Sequence, residues 1–230
     1  MEGFEDFTDE RAADPLTRLK QLNQLEGVRR SEDAEQAKKD EAQAKRQLTF
    51  PRRIWRSAAE VDPAQPSQYL ALAADEQHDF LFLPKAGAQK LFVFFSGYAD
   101  RSKVQPPVFQ RWTWAEKFPG HCVYFSDPAL MGSGNLTTSY YTGSRQTDSL
   151  KVIAQFVRDL AERLGILPEN IVTYGSSAGG MASLRIAQHL RGAAHIAINP
   201  QTHLAAHRQE KVNRVARERF GEDSLSPAAR

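Results

Sequence analysis

The stretch Tyr174-Gly175-Ser176-Ser177-Ala178-Gly179-Gly180 sets a serine between glycines, directly after the run Asn170-Ile171-Val172-Thr173-Tyr174 and directly before a helical segment. In the pattern G-x-S-x-G the central serine sits on a cramped strand-to-helix turn, where larger neighbours would strike the adjoining strand and helix. A match at three positions is weak by itself, because Gly and Ser are common. Its context carries the motif: residues 170–174 read as a short buried strand, and Met181 to Leu190 as a helix with Leu184, Ala187 and Leu190 turned inward. The expected feature is a nucleophile elbow with Ser177 at its tip.

The segments around the elbow alternate strand and helix. Tyr69–Ala73 and Phe80–Leu83 flank the polar residues 75–79 and predict a hairpin, and Lys90–Phe95 is a continuous apolar strand ending at Ser96-Gly97-Tyr98. Then follow a strand over Cys122–Phe125, a helix over Thr147–Leu164, the strand at 170–174, the helix at 178–190 and a strand over His195–Ile198. The helix carries an apolar stripe of Leu150, Ile153, Ala154, Phe156, Val157, Leu160, Ala161 and Leu164, and Gly165 ends it. This βαβαβ order predicts an α/β fold, a mostly parallel sheet flanked by helices. The long polar connections, 99–121 and 129–146, follow strand ends, where α/β proteins place their sites.

The first 60 residues differ from the rest. They hold 12 Lys plus Arg and 13 Asp plus Glu, 25 of the chain's 58 charged side chains. Their clustered apolar residues, Leu16, Leu19, Leu22, Leu25 and Val28, suffice for one amphipathic helix but not for a core. We therefore expect a charged helical arm over 1–60, either solvated or offering its apolar stripe to a protein partner, and a globular domain over 61–230. The net charge of +2 comes from interspersed charges of both signs, not from a basic stripe, so no nucleic-acid footprint is expected. The acidic N-terminus lacks the order of a secretory signal, and no apolar run approaches the ~20 residues of a membrane span. Cytoplasmic localisation is the expectation. Cys122, the single cysteine, reads as a buried strand residue.

An early hairpin, a buried strand ending in Ser96-Gly97, a second parallel strand and the strand-Gly175-Ser176-Ser177-Ala178-Gly179-helix unit together resemble the α/β-hydrolase superfamily, over about Tyr69 to Pro200. A narrower similarity, through Phe94-Phe95-Ser96-Gly97, Phe125-Ser126-Asp127-Pro128, Tyr140-Tyr141-Thr142-Gly143 and Ile198-Asn199-Pro200-Gln201-Thr202, is to hydrolase-fold proteins of bacterial glycan and capsule pathways and of accessory secretion. That likeness implies acyl transfer to or from a carbohydrate or glycoprotein.

Acyl chemistry needs a nucleophile, a base and donors for the developing oxyanion. Ser177 is the candidate nucleophile. The Ala178 N–H is the first oxyanion donor by its place in the motif, and the Tyr98 N–H, after Gly97, stands where the superfamily puts the second. The resemblance also implies an acid and then a histidine on later strands, yet only His195–Ile198 follows the elbow as a strand and about 30 residues remain after it. His203 and His207 follow the Asn199–Thr202 loop, and His203 is the preferred base. Their spacing of four also suits a metal, but Leu204 stands where a zinc-protease motif needs Glu, so no metal site is expected, and no cofactor motif is present. Asp127 reads as a turn starter or as a residue orienting a sugar hydroxyl, and Tyr140 and Tyr141 as aromatics for stacking on a sugar ring. Trp112 and Trp114 read equally as a short packed helix.

Two functions follow. One is a serine hydrolase or acyltransferase acting on a small-molecule or glycan ester. The other is a catalytically incomplete hydrolase-fold protein, truncated or a pseudoenzyme, acting as an interaction module.

Overall fold

Two apolar runs, Leu91–Phe95 and His121–Phe125, are buried at every position, which requires cover on both faces of their sheet. The computed structural model, which describes residues 49–132, 134, 136–204 and 207–224, sets them side by side near the middle of a seven-stranded sheet. The strands are β1 (Arg52–Ile54), β2 (Ser67–Ala73), β3 (Glu76–Leu83), β4 (Leu91–Phe95), β5 (His121–Phe125), β6 (Ile171–Ser176) and β7 (Ala194–Ile198). Across the sheet they run β1-β2-β3-β5-β4-β6-β7, and β3 alone opposes the other described strands. The expected α/β architecture with a mostly parallel sheet is present.

Helix α1 (Ser149–Arg163) carries the chain from β5 across β4 to β6. Asp148 caps it, accepting the Leu150 and Lys151 N–H groups at 3.1 Å each, and Gly165 follows it in the left-handed region at φ 67°. Its stripe packs with Val93, Phe95, Val123 and Phe125, although Phe156 and Leu164 are only partly buried. Helix α2 (Ala178–Arg185) covers the same face, joining β6 to β7. The other face, with Phe92, Phe94, Cys122 and Tyr124, is covered by Phe109 and the 3-10 segment Trp112–Lys117 instead. Cys122 is buried there, and burial pushes its thiol up to about 11, in keeping with a structural residue.

Three expectations are corrected. The α2 phase differs, with Leu184 41% exposed and Ala182, Ser183, Ile186 and Leu190 inward. The reason is the close packing of Gly179 and Gly180 on the sheet, which turns the smallest face of the helix inward. The hairpin turn is tighter than the polar 75–79 stretch suggests, because Glu76, His78 and Asp79 continue β3 as buried residues. Their charges find partners at a distance: Arg52 meets Asp79 at 2.6 Å, and Arg219 and Ser149 meet Glu76. Finally, the folded domain begins ahead of residue 61. Strand β1 pairs with β2, and Trp55 packs edge-on against Tyr69, Phe80 and Phe156. The expected arm helix at 16–28 lies outside the described residues.

β4 leads to β5 on one side, whereas β5 crosses to β6 on the other side of β4. Connections therefore diverge above the carboxyl ends of β4 and β6, and this switch opens a crevice there. Trp55→Ala should cost about 3–5 kcal/mol in urea unfolding; a loss under about 1 kcal/mol would show that residues ahead of 61 add nothing to the core.

Candidate active site

At the crevice, β6 turns into α2 through Ser177, whose φ of 54° and ψ of −122° form a strained conformation for a residue with a side chain. The turn is held on both sides. The Ser177 N–H donates to the Ile198 carbonyl of β7 at 2.9 Å, and the Ser177 carbonyl accepts the Met181 N–H at 3.1 Å. The flanking glycines are steric necessities: a Cβ on Gly175 would lie 2.0 Å from the Gly179 carbonyl oxygen, and one on Gly179 would lie 2.3 Å from that of Phe95. The fold is of α/β-hydrolase type.

Ala178 opens α2, so its N–H has no acceptor inside the helix, and the residue lines the cavity beside Ser177. The turn after β4 passes close by, since a Cβ on Gly97 would come within 3.1 Å of the Ser176 carbonyl oxygen and 3.9 Å of the Ser177 Cβ. The Gln110 carboxamide clamps this turn, accepting the Gly97 N–H at 2.8 Å and donating to the Tyr98 carbonyl at 2.8 Å. Neither bond uses the Tyr98 N–H. Arg111, itself at φ 64°, donates from Nη2 to Ser176 Oγ at 2.7 Å and lies over the Tyr174 ring, bracing the elbow from the other face. Nothing in the sequence pattern marks Gln110 or Arg111 for these roles.

A cavity of about 250 Å³ lies over Ser177 and Ala178, with Tyr98, Tyr140, Gln201 and His207 in its walls. The partner of the Ser177 hydroxyl is Gln201, whose Nε2 lies 2.9 Å and whose Oε1 lies 3.3 Å from Oγ. A carboxamide is not a proton acceptor at neutral pH. His203, the preferred base, is exposed and does not line the cavity. The chain passes from the Asn199–Thr202 loop through Leu204, which is buried, and the next histidine, His207, is the one turned to the cavity. Its ring meets Tyr140 edge-on at 5.8 Å. Burial, then the Lys211 and Arg208 cations, hold its pKa below the ordinary value of 6.5. Helix α3 (Gln209–Val215), continued by a π-helical turn over Ala216–Phe220, carries Lys211 to the rim.

Asp127, Tyr140 and Tyr141 do not present themselves as an exposed sugar platform. The Asp127 carboxylate is fully buried and accepts the Ser139 N–H, the Ser139 and Thr138 hydroxyls and the Ala129 N–H, tying the 129–146 connection to the end of β5. Tyr141, likewise buried, accepts the Ser96 N–H at 2.8 Å and donates to the Phe125 carbonyl at 2.9 Å, bridging β4 and β5. Burial raises its pKa well above 10, so it stays a neutral donor. Tyr140 is 1% exposed yet lines the cavity, and its hydroxyl has no hydrogen-bond partner among the described residues. No described cluster of three His, Cys, Asp or Glu side chains suits a metal, and no described helix is long and apolar enough to cross a membrane.

No family model and no curated protein matches the sequence. Among solved structures, the chain is similar to the capsule O-acetyltransferase of Neisseria meningitidis serogroup A, at 16% identity and a TM-score of 0.48 over 61% of this chain and 57% of that one. It is also similar to a glycosylation-associated protein complex from Streptococcus agalactiae, at 17% identity and 0.42 over 52% and 21%, and to an acetyl xylan esterase from Aspergillus awamori, at 16% and 0.32 over 48% and 41%. The match thus spans little more than half the length of the Neisseria enzyme. The strand order and the elbow carry the fold by themselves.

Removing the Asp127 carboxylate strands several buried donors together. Asp127→Ala should cost about 3 kcal/mol or more in thermal or urea unfolding, whereas a merely substrate-orienting Asp127 would leave stability within about 0.5 kcal/mol.

Proposed function

We propose that the protein is a serine hydrolase or acyltransferase acting on an ester, with Ser177 as nucleophile and His207 as its base. The supporting observation is the elbow itself, a serine held at φ 54° with the first N–H of α2 beside it and the Gly97-Tyr98 turn in contact. In this reading Ser177 Oγ attacks the ester carbonyl carbon while its proton passes to His207. The oxyanion collects the Ala178 and Tyr98 N–H groups. Collapse breaks the bond to the alcohol oxygen, which takes the proton from His207 and leaves an acyl-Ser177. Water completes hydrolysis, or a second alcohol completes transfer, with His207 again removing the attacking proton. An O-acyl group of a glycan is the substrate favoured by the sequence resemblance. Gln201 must yield its bond to Oγ as the base engages.

A second reading, a hydrolase-fold interaction module without turnover, draws on one observation: the partner of Oγ is an amide and not an imidazole. The two separate on 4-nitrophenyl acetate. A working His207 gives a kcat/KM that falls about 10²- to 10³-fold in His207→Ala, with His203→Ala within about twofold of the wild type. If the wild type shows no turnover above the Ser177→Ala background, the module reading is the correct one; if it turns over and both histidine variants match it, His207 is not the base.

The pH profile supplies an independent check. A base acts in its neutral form, so activity is present above its pKa and lost below it. Because burial, Lys211 and Arg208 lower the His207 pKa, the acid limb of kcat/KM should fall below pH 6.5 and move upward in Lys211→Gln. A limb above 6.5, unmoved by that substitution, would exclude His207 as the titrating group.

A further inference from the structure

Two cations, Arg208 and Lys211, stand together on one wall of the cavity over Ser177. Neither has a carboxylate partner among the described residues, whereas Arg52, Lys103, Arg145, Arg214 and Arg219 each have one. No carboxylate lines the cavity either. Lys211 Nζ lies 4.7 Å from the centre of the half-exposed Tyr98 ring, a contact that orients the ammonium without neutralising it.

These cations sit on a fixed support. Helix α3 buries Val212 and Val215 against Leu130, Tyr140 and Met181, and beyond it Arg219 reaches back to the Gly143 carbonyl at 3.0 Å and to the buried Glu76 carboxylate. Tyr140 lines the same cavity, and its hydroxyl is buried without a partner among the described residues. Its phenol stays neutral, because burial and then Asp127 raise its pKa to about 12. Two cations without a carboxylate partner among the described residues, beside one candidate nucleophile, form a complement to negative charge.

We propose that this cavity selects esters bearing an anionic group, a carboxylate or phosphate, close to the scissile bond, with Arg208 and Lys211 as the residues that bind it. The inference rests on Ser177 being the nucleophile and adds the charge of its substrate. The anion sits on either the acyl or the alcohol side of the ester, and both use the same cations.

Binding to Ser177→Ala protein tests this apart from turnover. In one pair of ligands, 4-nitrophenyl hemisuccinate is compared with 4-nitrophenyl butyrate, which places the charge on the acyl side. In the other, 4-acetoxybenzoate is compared with its methyl ester, which places it on the alcohol side. By calorimetry at low ionic strength, at least one anionic member should bind roughly tenfold tighter than its neutral counterpart. The doubly substituted Arg208→Gln, Lys211→Gln protein should bring that ratio to about one, as should about 0.5 M salt. The pair showing the preference identifies the side. Hydrolysis-resistant amide analogues should give the same ratio on the wild-type protein, should Ser177→Ala fail to fold. Equal binding within both pairs, or a preference that survives the double substitution, overturns the proposal. Inactivity of the wild type toward every ester, with the binding ratio intact, would instead contradict the nucleophile reading alone.

Discussion

The backbone of Gly179 runs so near the end of β4 that a single added Cβ would fall 2.3 Å from the Phe95 carbonyl oxygen. This approach lets α2 begin immediately after β6, with no intervening loop. The reversal then falls on one residue, Ser177, which takes a positive φ and has no room to relax. The first residue of the helix and the Gly97-Tyr98 turn both lie beside this serine. The proposed nucleophile and oxyanion donors thus trace to one packing constraint between a helix and a strand.

The surroundings divide the work of holding that geometry. Buried polar side chains fasten the connections that leave the carboxyl edge of the sheet: Tyr141 bridges β4 and β5, Asp127 gathers the 129–146 segment, and Gln110 clamps the turn after β4. Helix α3 closes the cavity from the side, and its Lys211 and the preceding Arg208 also lower the basicity of His207. In the proposed reading, charge at this wall has two effects at once, adding to burial in disfavouring the protonated histidine and offering a counter-charge to an anionic substrate.

The central strands and the elbow were legible in the sequence because their signals are local. Leu91–Phe95 is a continuous apolar run, and the Gly-Ser-Gly spacing records contacts between neighbours in the chain. What escaped depends on long-range pairing. Glu76, His78 and Asp79 read as a polar turn, yet they continue β3 because Arg219, 143 residues away, and Arg52 reach their carboxylates. Tyr140 and Tyr141, amid Ser, Thr and Gly, have the composition of an exposed loop, and only the folded chain shows the Tyr141 hydroxyl meeting Ser96 and Phe125. His203 and His207 are equivalent as a spacing; the burial of Leu204 between them separates the exposed ring from the one turned to the cavity.

The most direct test of the account is covalent modification by an alkyl fluorophosphonate, followed by intact mass and peptide mapping. The account predicts one adduct per chain, on the peptide containing Ser177, and none on Ser177→Ala protein. No adduct on the wild type, or equal modification of the Ser177→Ala protein, would contradict it.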